Sequence, residues 1–358
     1  MRIKKALFLG TLCTAVSGMS LFAQAGVSYA KSAEKTTEAA SSEEAESEEE
    51  TSEEVIYPIT IEHAFGETVI ESKPERIATI GWENQDTPLA LGVAPVGVSA
   101  ANYGMVTDNN LHPWTDEAFA DLGVEKPVVF DDVDGLDFEQ ISDCNPDVIL
   151  AAYSGMTQED YDTLSEIAPV IPYKEKAWNT SWREQTIENA EGMGMKPEGE
   201  KKVKEVEDLI AEKLEEYPQL EGIPTAFCWI SADDFSTFYV YLPTDPRAAY
   251  LLDLGFTLPE SVQKLAGETD DFNITVSREN ADQLDDIQLM VVYGDEDLLK
   301  SLQEDKLMSQ IPAIKNGAVA LVDSTSALAG ACTPSILSIP YEIDEYLQLL
   351  SDAAENIK

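Results

Sequence analysis

The side chains that most often do chemistry are scarce in this chain of 358 residues. It has two histidines, His63 and His112, so the usual acid–base group at neutral pH and the commonest ligand of transition metals are nearly missing. That argues against a hydrolase and against a His-lined zinc receptor. No GxSxG elbow, GxxxxGKS/T phosphate loop, GxGxxG turn after a strand or HExxH helix occurs. The pairs Asp131-Asp132, Asp233-Asp234 and Asp285-Asp286 have the type needed for glycoside or metal chemistry, but 68 acidic residues make such pairs by composition alone. The sequence is therefore read as no enzyme. A secreted carboxylate-based enzyme and a receptor for a bare metal ion are the lesser alternatives. Of four cysteines, Cys13 lies in the apolar start, and Cys144, Cys228 and Cys332 are far apart with no CxxC, which reads as small apolar side chains and not as ligands or a disulfide framework.

The elements that would position a site alternate short β-branched runs with helical stretches. Residues 56–61 and 67–70 flank a turn as a hairpin; 76–80, 94–98, 147–152 and 169–172 read as strands, with helices over 85–91, 138–144 and 161–167 between them. This helix–strand beat implies parallel pairing in an open α/β sheet, with ligands bound outside the carboxyl ends of the strands. A long amphipathic helix follows, with Val203, Val206, Leu209, Ile210 and Leu214 at helical spacing between Pro197 and Pro218. The pattern then restarts, with strands over 225–230, 237–242, 287–293 and 318–322 and a helix over 246–254. The expected fold is thus α/β: two lobes built on open, mostly parallel sheets, joined by one long rigid helix, with a ligand cleft between them. The boundaries are an N-terminal lobe over 55–196, an interlobe helix over 197–217 and a C-terminal lobe over 218–358.

Residues 1–30 read as an export signal: a basic start, an apolar stretch from Ala6 to Phe22, and a small-x-small cleavage site ending at Ala25 or Ala30. The protein is expected outside the cytoplasm, extracellular, at the cell surface or periplasmic. Leu12 stands where a lipobox wants a small residue, which argues against lipidation of Cys13. Residues 31–54 hold ten Glu and two Lys without aromatics, a self-repelling acidic linker. Setting aside residues 1–54 with their ten acids and five bases leaves 58 acids against 18 bases, a net charge of −40. Such a surface repels phosphate backbones, and no nucleic-acid partner is expected.

One internal echo supports two related lobes. Residues 139–153 lie on 279–293 without a gap: each opens with a Glu at a helix start, passes an acidic turn and an apolar strand, and ends on a Tyr fourteen residues later. A Glu at a helix start serves the dipole and the cap, which explains each alone and the matched pair less well.

At this point the chain resembles the substrate-binding proteins that serve ferric-siderophore and vitamin B12 type ABC importers (class III). The resemblance rests on KPERIATIGW over 73–82 leading to LALGVAPVGV over 89–98, on NPDVIL over 145–150, LSEIAPV over 164–170 and WREQT over 182–186, and on Tyr239-Val-Tyr241, Asp245-Pro-Arg247 and Leu254-Gly-Phe256. It covers nearly everything from Val55 onward. It implies a monomeric bilobed receptor that moves little and holds a ferric siderophore or similar iron chelate between its lobes. It also implies docking of one Glu per lobe onto arginines of a permease dimer, and Glu139 and Glu279 fall at those positions.

A ferric chelate already fills its iron shell, so its receptor needs cationic forks and flat apolar walls, with no protein metal ligand and no cofactor. Arg76 precedes a strand and Arg278 adjoins Glu279, which leaves Arg183 and Arg247 as the forks. With Trp178, Trp182, Tyr239 and Tyr241 they form the expected kit, and Trp82, Tyr103, Tyr153 and Tyr293, at or near strand ends, are further candidates for the cleft. The strong negative charge favours a neutral or cationic complex over a triply anionic catecholate. A corrinoid or haem is the alternative cargo.

Overall fold

The computed structural model describes residues 55–132 and 135–358. The export signal expected over 1–30 and the acidic linker over 31–54 lie outside these residues.

The N-terminal part opens with an antiparallel hairpin, β1 (Ile59–His63) and β2 (Gly66–Ile70). Then β3 (Ile77–Thr79), α1 (Asp86–Ala90), β4 (Gly97–Ser99), α2 (Pro113–Asp121), β5 (Val129–Phe130), α3 (Phe138–Asp143), β6 (Val148–Ala151), α4 (Gln158–Ser165) and β7 (Val170–Pro172) alternate along the chain. The strands form one parallel sheet in the order β5-β4-β3-β6-β7. Residues such as Ala78, Ile149 and Leu150 are fully buried because helices cover both faces of a parallel sheet, which is why these strands read as continuous apolar runs. Successive strands step outward from β3 to β5 and then jump back to β6. The order reverses between β3 and β6, and a crevice opens there at the carboxyl edge.

α5 (Trp182–Gly192) is stopped by Gly194 at φ +66° and followed by α6 (Lys196–Leu214), 19 residues or about 28 Å long, with Pro in its first turn. α6 buries Val203, Val206 and Ile210. It ends three residues before the expected Tyr217, where Pro218 opens a 3-10 turn.

The second sheet contains β8 (Thr225–Trp229) and β9 (Thr237–Tyr241), then, after α7 (Pro246–Asp253) and α8 (Glu260–Ala266), β10 (Asn273–Ser277) and β11 (Leu289–Tyr293); α9 (Glu296–Glu304) and α10 (Pro312–Asn316) lead to β12 (Val319–Val322). Its order is β10-β9-β8-β11-β12. Here β8, β11 and β12 are parallel, while β9 runs antiparallel to both β8 and β10. The seven residues between β8 and β9 are too few for a crossover helix, so the chain must return antiparallel. The chain closes with α11 (Ala327–Ala331) and α12 (Ser338–Ala354), whose Ile339, Ile343, Leu347 and Leu350 join the main core with the α6 residues.

Candidate functional site

A cavity of about 420 Å³ lies between the carboxyl edges of the two sheets. Trp82, Tyr103, Tyr153 and Trp178 line it from the N-terminal lobe; Trp229, Tyr241, Asp245, Arg247, Phe272, Tyr293 and Thr333 line it from the other.

A polar hub inside the first lobe fixes two of these rings. Asn84, fully buried, donates from Nδ2 to the Ile80 and Tyr153 carbonyls, at 2.8 and 2.9 Å, and its Oδ1 accepts the Tyr153 N–H at 3.1 Å. From α5, Asn189 Nδ2 donates to the same Oδ1 at 2.9 Å, and Gln185 Nε2 donates to the Trp82 carbonyl at 2.8 Å. The segment after β3 is thereby tied to the segment after β6. Trp178 sits at φ +59°, with its N–H donating to the Ser154 carbonyl at 3.1 Å and its ring edge-on to Tyr153 at 5.2 Å. Its indole lies directly on Gly155, where an added Cβ would stand 2.4 Å from the ring nitrogen.

The lobes meet beside the cavity. Tyr103 packs edge-on against Tyr293 at 5.3 Å, and the Met105 N–H donates to the Ser326 carbonyl at 2.9 Å. Gly104, at φ +75°, passes so close to α11 that a Cβ would stand 2.8 Å from the Gly330 nitrogen. The echoed residues Tyr153 and Tyr293 thus face one cavity from opposite lobes. Their partners Glu139 and Glu279 are exposed, Glu139 in the first turn of α3 and Glu279 in a 3-10 turn after β10.

Arg247 is the cationic group of the cavity, and it is paired. Its Nε and Nη2 donate to Asp245 Oδ1 and Oδ2 at 2.8 and 2.6 Å, and its guanidinium lies 3.8 Å from the centre of the Tyr241 ring. Asp245, 3% exposed, also caps α7 through the Arg247 N–H. Burial works against the Arg247 charge, but the Asp245 hydrogen bonds and charge outweigh it and raise the pKa. Burial drives the phenols of Tyr153 and Tyr293 well above their ordinary value and pushes Tyr103 up to about 12.

Seven of the ten expected ligand contacts therefore share the cavity: Trp82, Tyr103, Tyr153, Trp178, Tyr241, Arg247 and Tyr293. Trp182 and Arg183 lie elsewhere. Trp182 is 3% exposed, packs in the core with the α6 residues and donates from Nε1 to Asp253 at 3.0 Å. Arg183 bridges Glu207 of α6 and Asp253 of α7 at 2.6 and 2.7 Å, over the Trp182 ring. At the head of α5, with Ser181 as N-cap, these residues are aimed at α6 and α7, so they tie helices together. Tyr239 is one layer out, stacked at 5.4 Å on Trp229, which takes the wall position. Trp229, Asp245, Phe272 and Thr333 were missed from sequence; Asp245 was legible as the residue before Pro246-Arg247, whereas Trp229 and Phe272 sit at strand ends with no local signal.

Among the described residues, no three of His, Cys, Asp and Glu come together to hold a metal ion. Cys228 and Cys332 are buried, Cys144 is half-buried, and all three are free.

Two α/β lobes sharing one aromatic cavity with a single Arg–Asp pair describe a bilobed receptor for a small solute. The chain belongs to the periplasmic binding protein family, which it matches over residues 77–325. It is similar to Streptococcus pneumoniae PiaA, solved in complex with ferrichrome, at 48% identity and TM-score 0.80 over 84% of this chain and 100% of that one. Among Bacillus subtilis proteins, it is 24% identical to the petrobactin-binding protein YclQ over 305 residues, 81% of this chain and 88% of the relative. It is 25% identical to the probable siderophore-binding lipoprotein YfiY over 237 residues, 65% of this chain and 67% of the relative.

Proposed function

We propose that this chain is the extracytoplasmic siderophore-binding component of an ABC iron importer, taking a ferric hydroxamate into the interlobe cavity and delivering it to a membrane permease. The observation that carries this reading is the cavity itself: flat aromatic walls and one arginine fork, with no cluster of three His, Cys, Asp or Glu among the described residues. Such a surface suits a cargo whose own oxygens saturate the metal. The 48% identity with PiaA, whose structure holds ferrichrome, supports the same cargo class.

The electrostatics select within that class. Asp245 neutralises Arg247, and residues 55–358 carry a net charge of −40, so nothing compensates the charge of a triply anionic catecholate. Three hydroxamates on ferric iron give a neutral core, which meets no repulsion. Glu139 and Glu279, exposed and one per lobe, suit a two-fold permease surface bearing arginines.

Titration of intrinsic tryptophan fluorescence with ferrichrome tests the cargo: saturable quenching is expected, and no quenching by any ferric hydroxamate, catecholate or carboxylate sinks the reading. Charge reversal at Glu139 plus Glu279 should abolish stimulation of the importer's ATPase while leaving ferrichrome affinity intact; lost affinity would instead assign these residues to the cleft.

A further inference from the structure

A second chamber, about 270 Å³, adjoins the main cavity and shares Trp82 and Trp178 as its dividing wall. The chamber lies at the carboxyl ends of β3, β4, β5 and β6, where the strand order reverses and sheets of this kind take their ligands. Two glycines let its walls pack closely. At Gly81, φ +84°, a Cβ would stand 2.7 Å from the Tyr153 carbonyl oxygen, and at Gly155 one would strike the Trp178 ring.

The chamber's chemistry is opposite to that of the main cavity. Asp132 lines it half-buried, its Oδ2 accepting from the Ser99 hydroxyl at 2.5 Å, while the Ser99 oxygen accepts the Gly81 N–H at 3.0 Å. Asp160 also lines it and uses its Oδ2 for the Thr157 N–H and hydroxyl, at 2.9 and 2.7 Å, in the cap of α4. Neither carboxyl has a Lys, Arg or His partner within 4 Å among the described residues. Burial raises the Asp132 pKa above the usual carboxylate value, as it does for an anion short of a counter-charge.

We propose that this chamber is a side-arm subsite that takes a pendant ammonium group of the chelate, with Asp132 as its counter-ion, while the hydroxamate core occupies the aromatic cavity. The inference deepens the cargo reading above and rests on it. An arm passing between Trp82 and Trp178 lays its methylenes on two indole faces and ends at the carboxyl group. The ammonium then supplies the charge missing there, and the acidic surface attracts the resulting cationic complex.

The test uses the full chain and three ferric trihydroxamates: ferrichrome, ferrioxamine B with its free ammonium arm, and N-acetyl ferrioxamine B, which has the same core and a neutral arm. Wild-type protein should bind ferrioxamine B about tenfold more tightly than the acetylated form, the scale of one hydrogen-bonded charge. Asp132→Asn should erase that preference while leaving ferrichrome affinity within about twofold. Equal wild-type affinity for the two ferrioxamines overturns the subsite without needing a variant. A uniform loss across all three chelates in Asp132→Asn would make Asp132 a structural residue. If none of the three binds, the cargo reading itself fails, and the subsite with it.

Discussion

Lys176 Nζ lies 3.1 Å from Asp270 Oδ2 and 2.8 Å from the Asp270 carbonyl oxygen, so one lysine joins the loop carrying Trp178 to the loop carrying Phe272. Those two rings wall the cavity from opposite lobes, and the pair therefore spans its mouth. Both side chains are exposed, and pairs of this kind contribute little because water and salt screen them. Lys176→Ala should raise the dissociation rate of a ferric hydroxamate by at most a few-fold at low salt, with the difference vanishing near 0.5 M salt. Stopped-flow fluorescence reads this directly, and a slower release would show that the bridge obstructs the cavity.

The two arginines singled out from sequence should part company on mutation. Arg247 offers the cavity a planar fork fixed by Asp245 and backed by Tyr241. Arg247→Lys keeps a charge but not the fork, so both Arg247→Lys and Arg247→Ala should lower chelate affinity, by about tenfold or more. Arg183 ties α5 to α6 and α7 away from the cavity. Arg183→Ala should lower the melting temperature by a few degrees and leave affinity within about twofold. Calorimetry on both variants separates these outcomes, and an affinity loss at Arg183→Ala would return that residue to the cleft.

This division marks what could be read from the chain. The α/β alternation was legible because buried parallel strands such as Val148–Ala151 are continuous apolar runs, and the long helix because Val203, Val206 and Ile210 recur on one face. The antiparallel course of β9 was not read from the strand pattern, because a strand carries the same β-branched signature in either direction; only the short gap after β8, too short for a crossover helix, betrays it. In the site, Tyr153 and Tyr293 were legible through the internal echo. Trp182 was not separable from Trp178: both are tryptophans in one connecting segment, and only the Ser181 cap and the positive φ of Trp178 distinguish the ring that turns into the core from the one that lines the cavity.

Gly155 gives a prediction that separates binding from stability. The Trp178 ring lies against its backbone, and Gly155→Ala puts a methyl carbon 2.4 Å from the indole nitrogen. Trp178 is 44% exposed, so the ring can swing toward water without opening a core void. The variant should therefore keep its melting temperature within about 2 °C and lose about tenfold in ferrichrome affinity. A stability loss with intact affinity would show that the ring is held by the fold and not poised for a ligand.

Behind Trp82 lies a buried ionisable cluster whose members all shift the stability in one direction with pH. Asp86, fully buried, accepts from Trp114 Nε1 at 3.0 Å, Thr115 Oγ1 at 2.8 Å and the Ser335 hydroxyl, which comes from the segment before α12. Glu83, 3% exposed at φ +53°, stands 2.9 Å from His112 Nδ1. Burial dominates both acids, raising Asp86 to about 6 and Glu83 to about 7; Glu83 in turn supplies the largest favourable contribution to a raised His112 pKa, against the opposing effect of burial. For each group the folded state holds its proton to higher pH than the unfolded chain does. Stability must therefore fall as pH rises, between about 4 and 6 for Asp86, between about 4.5 and 7 for Glu83, and through the folded pKa for His112. The melting temperature should be higher at pH 5 than at pH 8 by several degrees, the reverse of a fold held by ionised carboxylates. Glu83→Gln, which keeps the shape and removes the titration, should flatten that slope and raise the melting temperature at pH 8. A melting temperature that climbs from pH 5 to pH 8 would show that the cluster is ionised and compensated in the folded state.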